Sequence, residues 1–292
     1  MKERQLKSQI LLTIFFSLLA VLIITPFVML ISASLSDEAM LSRNGYGILP
    51  QGFSLDAYKY VFKNPAQILN AYKVTAIFSF AGMVLGTFLM SLMAYPLTKK
   101  NLRGRNGLSF YLYFTMLFGG GLIPSYILIT QYLHLGDTIW VYIIPALISP
   151  WQVFMLRTFF QGLPEEIFES AVIDGAGEYR IFFKMVIPLS KPALATVALQ
   201  IFLGKWNDWN TAMLYIDDQK LISLQYLLQR IMENIKVIQE NANTAMFMTG
   251  EKIPSETVRM AMAMVVAGPI LFVFPFFQKY FVRGLTVGSV KG

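Results

Sequence analysis

The sequence predicts an all-α, polytopic membrane protein, and three observations carry that prediction. The 292 residues are 55% hydrophobic and only 14% charged, whereas soluble domains usually carry about 25% charged residues. Mean hydropathy is +0.55. Uncharged runs of spanning length recur along the chain, separated by segments in which basic and turn-forming residues gather. Six spans are expected, at about 10–31, 74–98, 107–133, 138–157, 192–214 and 259–279, in one transmembrane domain covering 1–292. The net charge of +7 reads as basic loops on the cytoplasmic side. Aromatic-basic interleaving and zinc spacing are both missing, which argues against a nucleic-acid partner. With no cysteine in the chain, disulfides, thiolate metal sites and Cys nucleophiles are excluded.

Lys2, Arg4 and Lys7 precede the first apolar run. Ile10–Ile31 would span about 33 Å as a helix, which is longer than a signal-peptide core, so it reads as a retained first helix kinked at Pro26. The polar stretch from Asp37 to Tyr72 reads as an external loop. Val74–Thr98 forms the second span, with Gly82, Gly86 and Ser91 permitting close helix approach. Lys99, Lys100, Arg103 and Arg105 follow as a basic loop. The third run, from Gly107 to Gly136, contains Gly119, Gly120, Gly121 and Pro124, which predict a kinked or unwound segment. Broken backbone at membrane depth is tolerated where it lines a cavity or is buried in protein, so a translocation-path wall and a packing notch both fit.

The fourth span, 138–157, holds Pro145 and Pro150, with Trp140, Tyr142 and Trp151 as interfacial anchors. The fifth is irregular. Too few uncharged residues lie between Lys191 and Lys205 to cross a bilayer, so its helix is expected to include Lys205, Trp206, Asn207, Asp208 and Trp209. Lys205 and Asp208 would be neighbours on one helical face, able to neutralise each other. An ionisable pair at that depth is a candidate substrate-path site; the other reading is an interfacial helix end with tryptophans in the belt. Residues 217–257 form the longest external segment, with Leu221, Leu224, Leu227, Leu228, Ile231, Ile235 and Ile238 at helical spacing and a loop expected over Asn241–Ser255.

Between the fourth and fifth spans, 163–190 reads as two short amphipathic helices. Pro164, Glu165 and Glu166 suit a helix start. Ile167, Phe168, Ala171 and Val172 share one face, and Asp174-Gly175 ends the helix. A second run carries Tyr179, Phe182, Phe183, Val186 and Ile187 and stops at Pro188. The same residues carry a resemblance. Glu169, Ser170 and Ala171, then Gly175, then Met185, Ile187 and Pro188 keep the spacing of the EAA loop of bacterial ABC importer permeases, whose pattern is Glu-Ala-Ala, Gly, Ile-x-Leu-Pro. Ser170, Met185 and Ile187 are mild departures, while Asp174, Gly175 and Ala176 match. The ending from Lys279 to Gly292 is similar to the C-terminus of MalG-type carbohydrate permeases, and Phe53–Tyr58 resembles a segment before their second helix.

Six spans behind a basic N-terminus are expected to put both termini and the hairpin in the cytoplasm. The resemblance implies the six-helix MetI-like permease fold, in a bacterial inner membrane. It also implies a second homologous permease, two separate ATPase subunits and an extracytoplasmic solute-binding protein that delivers a carbohydrate. Phe168, Glu169, Ser170, Ala171, Asp174, Gly175, Ala176, Ile187 and Pro188 would couple to the ATPase. The chain lacks a phosphate-binding G-x-x-x-x-G-K-[ST] loop, so ATP and Mg are expected on the partner subunits, with no cofactor and no metal on this non-catalytic chain. A permease for peptides and an ion-coupled secondary transporter are the alternatives.

Overall fold

A computed structural model describes residues 2–240 and 256–288, with side chains described for 9–237 and 256–278. The loop expected over Asn241–Ser255 lies outside these residues, and of the MalG-like ending only the backbone of 279–288 lies within them. Among the described residues the chain is helical, and its β pairing is an isolated bridge between Ser36 and Phe53. The helices are α1 (Lys2–Ser34), α2 (Glu38–Asn44), α3 (Asp56–Val61), α4 (Pro65–Ala94), α5 (Arg105–Leu117), α6 (Leu122–Ile127), α7 (Trp140–Ile143) and α8 (Pro150–Gln161). There follow α9 (Glu165–Ile173), α10 (Glu178–Ile181), α11 (Ile187–Leu189), α12 (Lys191–Trp206), α13 (Asn210–Tyr215), α14 (Leu224–Glu240) and α15 (Glu256–Gly288).

Among the described residues, three helical stretches are long and apolar enough to cross a membrane: Gln9–Ser34, Pro65–Thr98 and Glu256–Gln278. Two bent pairs pass the same test of length and composition only when taken together, and bring the number to five if each is one span. Arg105–Leu117 and Leu122–Tyr132 meet at 111°, and Glu178–Leu189 and Lys191–Trp206 meet at 79°. The 107–133 run therefore breaks where its glycines sit, with Gly121 at φ +86°. The 138–157 run is not one helix. Pro145 has no N–H for the α7 ladder, α7 stops at Ile143, and the chain turns before Pro150 opens α8. Pro26, by contrast, sits inside a helix that continues to Ser34. The expected loop over Asp37–Tyr72 contains α2, α3 and the first turns of α4.

The chain divides into two compact units, Met1–Ile68 with Leu228–Pro269, and Leu69–Leu227 with Ile270–Gly292. In the first, the Asp37 carboxylate caps α2 by accepting from the N–H groups of Ala39 and Met40. The Glu38 carboxylate accepts from the N–H groups of Glu256 and Thr257 and from Thr257 Oγ1, placing negative charge at the N-terminus of α15.

In the second unit a core of Met90, Ala94, Leu97, Leu112, Val153, Leu156, Phe160, Ile181, Phe182, Val186, Val197 and Ile201 joins α4, α5, α8, α10 and α12. This core fixes the hairpin to the spans.

Candidate functional site

The 163–190 hairpin has a defined turn. α9 ends in a pair of C-terminal bonds, from Ala176 N–H to Ala171 O (2.9 Å) and from Gly175 N–H to Val172 O (3.0 Å). This is the Schellman arrangement, and it needs a residue in the left-handed region. Gly175 supplies it at φ +76°. The second helix runs from Glu178 through a π-helical turn over Phe182–Val186 to Leu189, one residue past the expected stop at Pro188. Pro188 cannot donate to the carbonyl of Lys184, and the widened turn lies just before it.

The hairpin's two surfaces differ from the sequence expectation. Phe168, Ala171, Ala176, Met185 and Ile187 pack against the chain's own core. Phe168, Ala171 and Ile187 are therefore already committed, while Val172, Ile173 and Tyr179 are the most exposed of the hairpin's apolar groups. Ile173 is 85% and Tyr179 80% exposed. Glu169, Ser170, Asp174 and Pro188 are also exposed. Ser170 Oγ is spent locally, donating to Ile167 O at 3.0 Å.

Glu178, which sequence reading passed over, ties the hairpin to the second expected span. Its carboxylate accepts from the hydroxyl of Tyr95 and lies 2.9 Å from Lys99 Nζ, whose ammonium sits 4.9 Å from the centre of the Tyr95 ring. Burial pushes the Glu178 carboxyl up, but donation from Tyr95 and Lys99 outweighs it and holds the group below its ordinary value. The only signal in the sequence was a glutamate at the start of a helix opposite a basic loop.

The second candidate region is split by the structure. α12 stops at Trp206 and α13 begins at Asn210, so residues 207–209 are a break rather than helix interior. The expected Lys205–Asp208 pair does not form. Lys205 is 6% exposed, and its Nζ donates to Tyr142 O at 2.6 Å. That carbonyl is available because α7 ends one residue later. Asp208 turns the other way, accepting from Thr211 N–H (3.0 Å) and Thr211 Oγ1 (2.6 Å) to hold the first turn of α13. Trp206 is buried against Phe202, while Asn207 and Trp209 are exposed.

The lysine stem lies on Gly82 of α4, where any Cβ would overlap its Cδ and Cε. Gly119, Gly120 and Gly121 are exposed. The segment after them approaches α13, with Tyr126 stacked on Tyr215 at 5.6 Å and Asp137 N–H donating to Tyr215 O. Two helix interruptions are thus held in one unit. Interrupted helices at membrane depth are where transporters expose backbone to solutes. No group of three or more His, Cys, Asp or Glu side chains among the described residues is placed to hold a metal.

Residues 71–287 match the family described as binding-protein-dependent transport system inner membrane component. The chain is 40% identical to Protein LplC of Bacillus subtilis over 92% of its own length and 90% of that protein's. It is 38% identical to the polygalacturonan/rhamnogalacturonan transport system permease protein YtcP of the same organism, with 95% and 96% covered. The arabinooligosaccharides transport system permease protein AraQ of Halalkalibacterium halodurans is 31% identical, with 97% and 96% covered. A crystal structure of a bacterial ABC transporter involved in the import of the acidic polysaccharide alginate contains a chain that superposes with a TM-score of 0.78 at 29% identity, covering 94% of this chain and 96% of that one. The chain therefore belongs to the binding-protein-dependent transport system inner membrane component family, and is a multi-pass permease subunit of an ABC importer.

Proposed function

We propose that this permease forms half of the translocation path for a carbohydrate, an oligosaccharide released from a polysaccharide, and is driven through its hairpin by a separate ATPase. Relatives named for polygalacturonan/rhamnogalacturonan and arabinooligosaccharides support the substrate class, as does the alginate importer. In this reading a second, homologous permease supplies the other half of the path. Two ATPase subunits bind ATP and Mg, and an extracytoplasmic binding protein delivers the sugar. Six crossings with both termini and the hairpin in the cytoplasm put the hairpin on the side where ATP is available. The observation that carries the coupling role is the hairpin's division of labour. Ile181, Phe182 and Val186 are locked into the core that holds the spans, while Ile173 and Tyr179 stand free at the turn.

Mechanistically, closure of an ATPase dimer displaces the exposed turn. Because the second hairpin helix is built into the core, the displacement reaches α4, α8 and α12 as a rigid-body movement that switches the path between inward- and outward-facing states. Gly119–Gly121 and Lys205–Trp209 are the path candidates, since both mark helix interruptions; the polar edge of Asn207 and the ring of Trp209 are the kind of groups that bind sugar hydroxyls and ring faces. The test is ATP-driven uptake of labelled oligosaccharides by the reconstituted complex. Gly175→Pro and Glu169→Lys are expected to leave the subunits assembled while uptake falls by at least about tenfold. Full coupling in both variants, or uptake that follows an ion gradient without ATP, would falsify the proposal.

A further inference from the structure

Arg105, at the start of α5, and Arg157, on α8, form a cationic site that the transport reading leaves unused. Arg157 on α8 donates from Nη1 to Ser109 Oγ on α5 at 3.1 Å. Its Nε is buried with no acceptor, and so is Nε of Arg105. Neither guanidinium has a carboxylate within ion-pair distance among the described residues. The charge that bears on Arg157 is another cation, Arg105. Arg105 is also the first residue of α5, a 13-residue helix whose N-terminus receives no side-chain cap behind Gly104 at φ +80°. A cation at that position opposes the helix dipole. Arg157 is in contact with Ser109, and Arg105 opens the same helix one turn before that serine; neither cation has a carboxylate partner among the described residues. An anion is the missing partner, and the planar donors of arginine fit the paired oxygens of a phosphate.

We propose that Arg105, Arg157, Ser109 and the N-terminus of α5 bind the phosphate of an anionic membrane lipid. The position favours a lipid. The site sits at the end of a bent pair apolar enough to cross the bilayer, and beyond Ser109 the same helix turns Phe110, Tyr111, Tyr113 and Phe114 outward. A headgroup held at the arginines would lay its acyl chains along those rings. Basic sites between transmembrane helices take lipid headgroups in this way.

The test uses the purified complex in neutral detergent, supplemented with phosphatidylglycerol, with phosphatidylcholine, or with inorganic phosphate alone. Native mass spectrometry reads lipid retained, and a thermal shift reads stabilisation. The wild type should retain phosphatidylglycerol over phosphatidylcholine and melt higher in its presence. Arg157→Gln and Arg105→Gln should each weaken retention by roughly tenfold, the loss of one charge-assisted contact. Arg157→Lys keeps a cation without the fork and should fall between; it keeps the test open should a Gln variant fail to assemble. Retention unchanged in all three variants overturns the proposal. So does a rise in melting temperature that inorganic phosphate alone reproduces, which would make the ligand a free anion. Loss of the ATPase subunits with lipid retention intact would assign the arginines to a partner's carboxylate, and the lipid site would again be wrong.

Discussion

At the scale of single residues, two glycines are tied to their positions for different reasons. Gly175 is required by backbone angle, since its φ of +76° is costly for any residue with a Cβ although nothing crowds it. Gly175→Ala should therefore destabilise the turn by about 1 kcal/mol while leaving the core intact. That would be visible as faster proteolysis at the hairpin without a change in global melting. Gly82 is required by its neighbour, because the Lys205 stem occupies the space of a side chain. Gly82→Ala should cost about 1–3 kcal/mol of stability through forced displacement of the lysine. Lys205→Ala in the same background should recover most of that loss, so a double-mutant cycle read by thermal unfolding would show strong coupling. Additive effects would mean that the lysine moves aside freely. The sequence showed both glycines as small residues in suitable places. The partner of Gly82, more than a hundred residues away, was not legible. The partner of Lys205 was misread because Asp208 lies three residues on and helical spacing suggested a pair, whereas the chain leaves the helix at Asn207 and the aspartate holds the first turn of α13.

At the scale of elements, the hairpin's existence, its turn at Gly175 and its spacing were readable from amphipathic periodicity. Which face turns outward was not. A short helix with apolar residues on much of its circumference offers two candidate faces, and only the position of the core decides that Phe168 and Ala171 turn in while Ile173 turns out. The natural chain has no cysteine, so single replacements report directly. Ile173→Cys and Tyr179→Cys should react with a maleimide in the permease alone and become protected when the ATPase subunits bind; Phe182→Cys should stay unreactive in both states. Equal labelling of Ile173→Cys with and without the ATPase would move the docking surface elsewhere.

The Glu178 contact adds a pH dependence. Its carboxyl titrates below its ordinary value in the folded chain, so its contribution is present above the unfolded value and is lost as pH falls through the folded one. Hairpin protection from protease should hold at neutral pH and weaken on acidification below the usual carboxylate range. Glu178→Gln should remove that step. The size of the effect is limited by solvent screening, because the carboxylate remains largely exposed.

At the scale of the whole molecule, composition alone was enough for a helical membrane protein. The number of crossings was harder to read, because hydropathy counts apolar residues and is blind to direction. The apolar runs at 107–133 and 138–157 look like two straight spans, yet the first folds back at Gly121 by 111° and the second is interrupted after Ile143. Proline and glycine marked both places, but tolerate either a kink or a break. Sidedness therefore needs an experiment rather than a count. With the basic loop 99–105 and the hairpin inside, Lys100→Cys and Ile173→Cys should be labelled by a membrane-impermeant maleimide only in inside-out vesicles. Ile48→Cys, exposed in the segment between α2 and α3, should be labelled only in intact spheroplasts. Six crossings require both results together, because one span separates Ile48 from Lys100 and two separate Lys100 from Ile173. Labelling of Ile173→Cys from outside would place the hairpin away from ATP and remove the basis for a lever driven by its hydrolysis.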